Sequence, residues 1–111
     1  MENLKDFFGI VVYSIEKDGC LNGLWTNTAN KGEILNEIAK KNDGNYNCID
    51  GNYIVTYIEH CNREVFSGKL KIIHNSDNSY RLEWEIDGVI KFLGEGFIIG
   101  NRLVVSYWEC K

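Results

Sequence analysis

Short runs of alternating apolar and polar residues, separated by turn formers, organise this chain from one end to the other. Alternation with a period of two puts one face of a strand inward and the other outward, and so predicts β-strands. The first run covers Phe8 to Glu16 and stops at Lys17-Asp18-Gly19, where Asp-Gly tolerates the positive φ of a tight hairpin. The second covers Cys20 to Thr28, carries Gly23-Leu24-Trp25 and gives way to a polar loop over Asn27 to Gly32. From residue 51 the pattern is regular. Tyr53, Val55 and Tyr57 share a face. Phe66, Gly68, Leu70 and Ile72 share the next, with Ser67, Lys69 and Lys71 opposite. After a turn at Asn75 to Ser79, Tyr80, Leu82, Trp84 and Ile86 alternate with Arg81, Glu83 and Glu85. Asp87-Gly88 is a second hairpin signal. Val89 to Ile99 holds Gly94 and Gly96, and Gly100-Asn101 turns into a last run in which Leu103, Val105 and Tyr107 alternate with Val104, Ser106 and Trp108.

One stretch reads two ways. Within Glu33 to Lys41, Ile34, Leu35 and Ile38 have helical spacing, and Glu37 is placed to pair with Lys40 or Lys41 along a helix. As a strand, the same stretch puts Ile34, Asn36 and Ile38 on one face. The β pattern on either side favours the strand. Asn42 to Asp50, rich in Asn, Asp and Gly, is expected to be a loop.

Consecutive strands with short connections are antiparallel neighbours. The expected fold is therefore all-β: an up-and-down meander of about eight antiparallel strands, closed into a small barrel, one domain over residues 1–111. The alternatives are a sandwich, or a sheet with one short helix near 33–41. Two features favour closure. The chain has no proline, a residue that open sheets use to guard their edges and that a closed sheet can do without. Glycines inside predicted strands, such as Gly68, Gly94 and Gly96, mark places where a curled sheet bends.

Composition narrows the partners. Hydrophobic residues at 44% allow a core, and 111 residues suit one domain. The net charge of −4 argues against nucleic acid, which calls for clustered Lys and Arg. No apolar stretch is long enough for a membrane-crossing helix, and no membrane partner is expected. Cys20, Cys48, Cys61 and Cys110 lack the CxxC spacing of a zinc site, so no metal or other cofactor is expected. They read as free thiols of a cytoplasmic protein. Met1-Glu2-Asn3 leads into a strand-like run with no apolar leader. Two disulfides in an exported protein, its leader trimmed, are the rival reading.

Gly23-Leu24-Trp25 and Gly51-Asn52-Tyr53 resemble small barrels of the lipocalin-like and avidin-like kind, which set a glycine two residues before an inward Trp or Tyr near a barrel end. The later pattern is similar to that of small uncharacterised bacterial proteins with such a calycin-type barrel: Tyr53-x-Val55, Phe66-x-Gly68-x-Leu70, Tyr80-x-Leu82-x-Trp84, Gly94-x-Gly96 and Leu103-x-Val105-x-Tyr107. The polar set that reads biotin in an avidin is not laid out here, so the resemblance implies a barrel and not biotin binding. An eight-stranded barrel is wide enough to be filled by side chains or to hold one small ligand.

No catalytic set stands out. His60 and Cys61 are neighbours after Glu59, but adjacent strand residues point to opposite faces and do not hydrogen-bond directly. His74 lies beside a turn and reads as surface. Glu83 and Glu85 share the face opposite the apolar one and read as solvent-exposed. Glu33 and Glu109 are harder to set aside, and Glu95, between Gly94 and Gly96, is the carboxylate that a curled strand would turn inward. Trp25, Tyr53, Tyr57, Tyr80, Trp84 and Tyr107, together with Glu95, are the candidate ligand-binding residues, with core filling as the competing role for the aromatics.

Three functions follow. The first is a non-enzymatic binding module holding a small ligand at one end of the barrel. The second is a small acidic protein-interaction, immunity or inhibitor protein with a protein partner, presenting a patch near Phe7, Phe8, Trp108 and the Asn-rich loops. The third is an enzyme on a calycin-like barrel. Dimers formed through outer faces fit all three.

Overall fold

The computed structural model describes residues 7–29, 32–43, 48–58 and 64–110, with the side chains of 64–66 outside that set. The strands follow the chain in order: β1 (Phe8–Ile15), β2 (Cys20–Asn27), β3 (Leu35–Lys41), β4 (Gly51–Ile58), β5 (Glu64–His74), β6 (Ser79–Ile86), β7 (Val89–Ile99) and β8 (Arg102–Glu109). Each pairs antiparallel with the next, and β8 returns to β1, so the meander closes into a barrel. The open-sandwich alternative is thereby set aside.

The turns form as their residues require. Asp87 and Gly88 adopt φ of 55° and 80°, the paired positive values of a two-residue hairpin between β6 and β7. Gly19 has φ of 85° in the β1–β2 turn, where the Asp18 carboxylate accepts the Cys20 N–H at 3.1 Å.

The inward residues make one core. Val11 and Tyr13 of β1, Leu21 of β2, Val55 of β4, Leu70 and Ile72 of β5, Leu82 of β6 and Leu103 and Val105 of β8 are buried. Glycines let the wall curl tightly at points where a side chain has no room. A Cβ on Gly94 would lie 2.9 Å from the Ser106 carbonyl oxygen and 3.0 Å from the Trp84 ring, and one on Gly68 would lie 2.8 Å from the Glu85 carbonyl oxygen.

The ambiguous stretch is strand, not helix. Its register sets Glu37 opposite Gly23 and Tyr57, and Ala39 opposite Leu21 and Val55. Glu37, Ala39 and Lys41 face the interior, while Ile34 is exposed and Ile38 half-buried on the other side. The isoleucines that drew attention in the sequence are thus on the outer wall. The strand's inward side thus carries a buried carboxylate and, at its last residue, a buried ammonium.

The two mouths differ. At one, the Lys41 ammonium donates to the Cys48 and Asp50 carbonyls at 2.6 and 2.7 Å and sits 5.1 Å from the Tyr53 ring centre. The Tyr53 hydroxyl donates to the Ile49 carbonyl at 2.5 Å, and Ile49 packs on the core. These bonds hold the segment around residues 48–50 across that end as a plug. The other mouth carries both register shifts of the barrel, at Tyr57/Ile58 and Trp84/Glu85. Bulges widen and bend a strand rim, and they recur beside binding sites.

Candidate functional site

The mouth that carries the register shifts leads into a cavity of about 130 Å³. Its wall comes from strands all round the barrel: Val11 of β1, Trp25 and Asn27 of β2, Glu37 of β3, Tyr57 of β4, Trp84 and Ile86 of β6, Phe92 of β7 and Tyr107 of β8. The rings interlock. Trp84 and Tyr107 have centroids 5.6 Å apart, Phe92 meets Tyr107 edge-on at 5.9 Å, and Trp25 meets Tyr57 edge-on at 6.4 Å. Phe7 lies at the rim, 5.7 Å from Phe92 and 6.2 Å from Tyr107.

Glu37 is the chemical centre. It is 3% exposed, and its Oε2 accepts two hydrogen bonds, one from the Tyr13 hydroxyl and one from Trp84 Nε1 at 3.4 Å. Burial penalises the charged carboxylate and raises its pKa to about 7, against the lowering effect of the two donors. No Lys or Arg lines the cavity among the described residues. The neighbouring phenols stay protonated. Burial first, then the Glu37 charge, pushes the Tyr13 hydroxyl well up, and Tyr57 rises for the same two reasons. Tyr107 is raised to about 12, mainly by burial.

Two further polar groups stand near the mouth. The Tyr107 hydroxyl accepts from Asn27 Nδ2 at 3.0 Å and donates to the Thr26 carbonyl at 3.2 Å. Gly9 makes that pose possible, because a Cβ there would overlap the Tyr107 ring. Trp25 Nε1 is buried and has no hydrogen-bond partner among the described residues.

The structure divides the candidate residues into three groups. Trp25, Tyr57, Trp84 and Tyr107 come together around the cavity. Tyr53 and Tyr80 lie at the opposite, plugged end, where Tyr80 also stacks on His74 at 4.8 Å. Glu95 does not turn inward: it is exposed, while Gly94 and Gly96 beside it are the buried positions. Strand alternation decides this, since the curl at the glycines leaves the period of two intact. Glu33 and Glu109 are exposed, and Glu83 and Glu85 are half-buried on the outer wall. Glu59, His60 and Cys61 lie outside the described residues. Cys20, Cys48 and Cys110 are free thiols.

Glu37 is the residue that sequence reasoning passed over. Within a stretch that also fits a helix, it reads as a surface charge. The available signal was its spacing to Ala39 and Lys41 once the strand reading is adopted, which puts it on the face opposite Ile34 and Ile38.

A carboxylate that titrates near neutrality inside an apolar cavity can bind a cation, accept a hydrogen bond or take up a proton. Burial holds the lining phenols Tyr57 and Tyr107 neutral near pH 7. No helix of the described residues is long and apolar enough to cross a membrane. Comparison with family models, curated proteins and solved structures finds no match to this chain.

Proposed function

We propose that this barrel is a binding module that takes one small ligand into the aromatic cavity at the mouth with the register shifts, in the manner of lipocalin-like and avidin-like barrels. The observation that carries this reading is the cavity itself: about 130 Å³, walled by aromatic rings and containing a buried carboxylate. A filled core would have no such space, and burying a carboxylate carries a desolvation cost that a contact from a ligand would offset. Size restricts the ligand, since a cavity of roughly 150 Å³ holds a benzene-sized molecule.

The three tryptophans of the chain provide the test. Trp25 and Trp84 line the cavity, whereas Trp108 lies on the outer wall, 36% exposed. In an NMR titration with small soluble rings, the Trp25 and Trp84 indole signals should shift while Trp108 stays still. The rim variant Ile86→Trp, which narrows the mouth, should abolish the shifts. Rings that leave Trp25 and Trp84 unmoved, or that move them equally in Ile86→Trp, overturn the reading.

A second reading, an interaction protein, draws on a different surface. Ile10, Leu24 and Ile34 are 47%, 58% and 65% exposed, and with Val12 they line a shallow groove on the outer wall of β1 to β3. Phe8, at 63%, and its cross-strand partner Trp108 lie beside it, while Phe7 packs at the mouth instead. Outer-wall apolar groups of this extent suit a protein contact. Sedimentation of the unchanged chain against Leu24→Lys checks it: a mass above the monomer that falls in the variant supports it, and identical monomers for both count against self-association.

A further inference from the structure

We infer that the ligand is a small organic cation, an alkyl or cyclic ammonium whose N–H meets Glu37 and whose carbon skeleton lies among Trp25, Tyr57, Trp84 and Tyr107. This rests on the binding reading above and names its chemical class. Three independent observations converge on it.

The first is an imbalance of charge. Glu37 is buried, and its two hydrogen bonds come from neutral groups. The buried ammonium of Lys41 is at the other end of the barrel, engaged with the Cys48 and Asp50 carbonyls. Where the carboxylate stays charged, at pH above about 7, a facing cation stabilises it, and the described wall supplies none. The second is the wall. Indole and phenol faces carry a negative quadrupole that attracts an ammonium, most strongly where water is excluded. Here two indoles and two phenols ring the same space as the carboxylate. The third is geometry at the carboxylate. Tyr13 and Trp84 both donate to Oε2 from the protein side, so a charged N–H from the ligand is assigned to the carboxylate from the cavity side. An anionic ligand would face the same carboxylate with repulsion, and a neutral one would leave its charge uncompensated.

Ring isosteres separate this from the broader reading. Piperidinium and tetrahydropyran match in shape, and only the first carries a charge across the neutral range. Each is titrated into the full chain and followed by the Trp25 and Trp84 indole signals. Piperidinium should bind at about pH 8 at least tenfold more tightly than tetrahydropyran, the scale of one desolvated cation–π or charge-assisted contact. The preference should shrink several-fold by about pH 5.5, as Glu37 takes up a proton. The other titratable groups facing it, Tyr13 of β1, Tyr57 of β4 and Tyr107 of β8, stay neutral over that span, while Asn27 and Phe92 do not titrate. Glu37→Gln, which keeps an acceptor for Tyr13, should equalise the two rings. The pH series on the unchanged protein decides the matter even where that variant fails to fold. Tetrahydropyran binding as tightly as piperidinium at about pH 8 overturns the cation and leaves the small-ligand reading standing. Signals that move with neither ring overturn both.

Discussion

Glu37 shows how one residue's environment reverses its ordinary behaviour. A carboxylate on a surface has its pKa lowered by hydrogen bonds, as the Ser79 contacts do for Asp77 and the Cys20 contacts for Asp18. In the cavity the desolvation outweighs two donors, and the pKa rises to about 7. The consequence for stability follows from linkage. A group whose folded pKa exceeds its unfolded value binds more protons folded than unfolded, so stability falls as pH rises between the two values. For Glu37 that window runs from its ordinary value near 4.5 up to about 7. The barrel should lose roughly 3 kcal/mol at most on going from the bottom of that window to the top. Urea midpoints measured at both ends check this, and Glu37→Gln should flatten the profile there. Asp18 and Asp77 act in the opposite sense and at lower pH, their contribution fading as acid protonates them.

At the scale of elements, the mouths are made different by what their strands end on. Lys41 closes β3 with two bonds to the plug. Lys41→Met keeps the apolar stem and removes the donors, and should cost about 1–3 kcal/mol, the usual range for carbonyls deprived of a charged partner. Amide exchange should quicken at Asn42, whose N–H bonds the Asn52 carbonyl at 2.7 Å beside the plug. Gly94 works beside the cavity. An alanine there presses on the Ser106 carbonyl and on the Trp84 ring that donates to Glu37. Gly94→Ala should cost about 1–3 kcal/mol by overpacking, and should displace the Trp84 indole signal in the ligand-free protein. A substitution that lowered stability and left Trp84 unmoved would show that the backbone alone yields.

At the scale of the whole molecule, closure is what makes an eight-strand meander viable without proline. The seam joins β1 to β8, with Val11 opposite Val105 and Tyr13 opposite Leu103. Removing β8 by ending the chain at residue 101 exposes β1 and β7 as unpaired edges and opens the core. Such a chain should lose the cooperative unfolding transition and aggregate, as unprotected edges do; a soluble monomer with native-like circular dichroism would refute this. The charged and apolar sides of the outer wall are also a property of the whole. β5 and β6 present Lys69, Lys71, Glu83 and Arg81 outward, the last two 3.5 Å apart, while β1 to β3 present Ile10, Leu24 and Ile34.

Much of this was legible in the chain because strands report themselves through a period of two. The faces of Tyr53-Val55-Tyr57, Leu82-Trp84 and Leu103-Val105-Tyr107 follow from alternation alone, and Asp87-Gly88 forms the hairpin that its dipeptide calls for. The candidate aromatics were found the same way. Which of them meet was not legible, because it depends on how far along the barrel axis each strand sits. Register places Trp25 and Tyr57 at one end and Tyr53 and Tyr80 at the other, and no local pattern encodes that offset. Glu37 and Glu95 make the same point in opposite directions. Both are single carboxylates in strands, yet the interior claims Glu37, whose neighbours across the barrel supply a phenol and an indole, and the alternation leaves Glu95 in water. The sequence by itself determined the strands other than β3, their faces and the turns, since these depend on residues a few positions apart. Only the tertiary structure decided the cavity, its plugged opposite end and the carboxylate within it. Those depend on desolvation and on donors brought from 24 and 47 residues away.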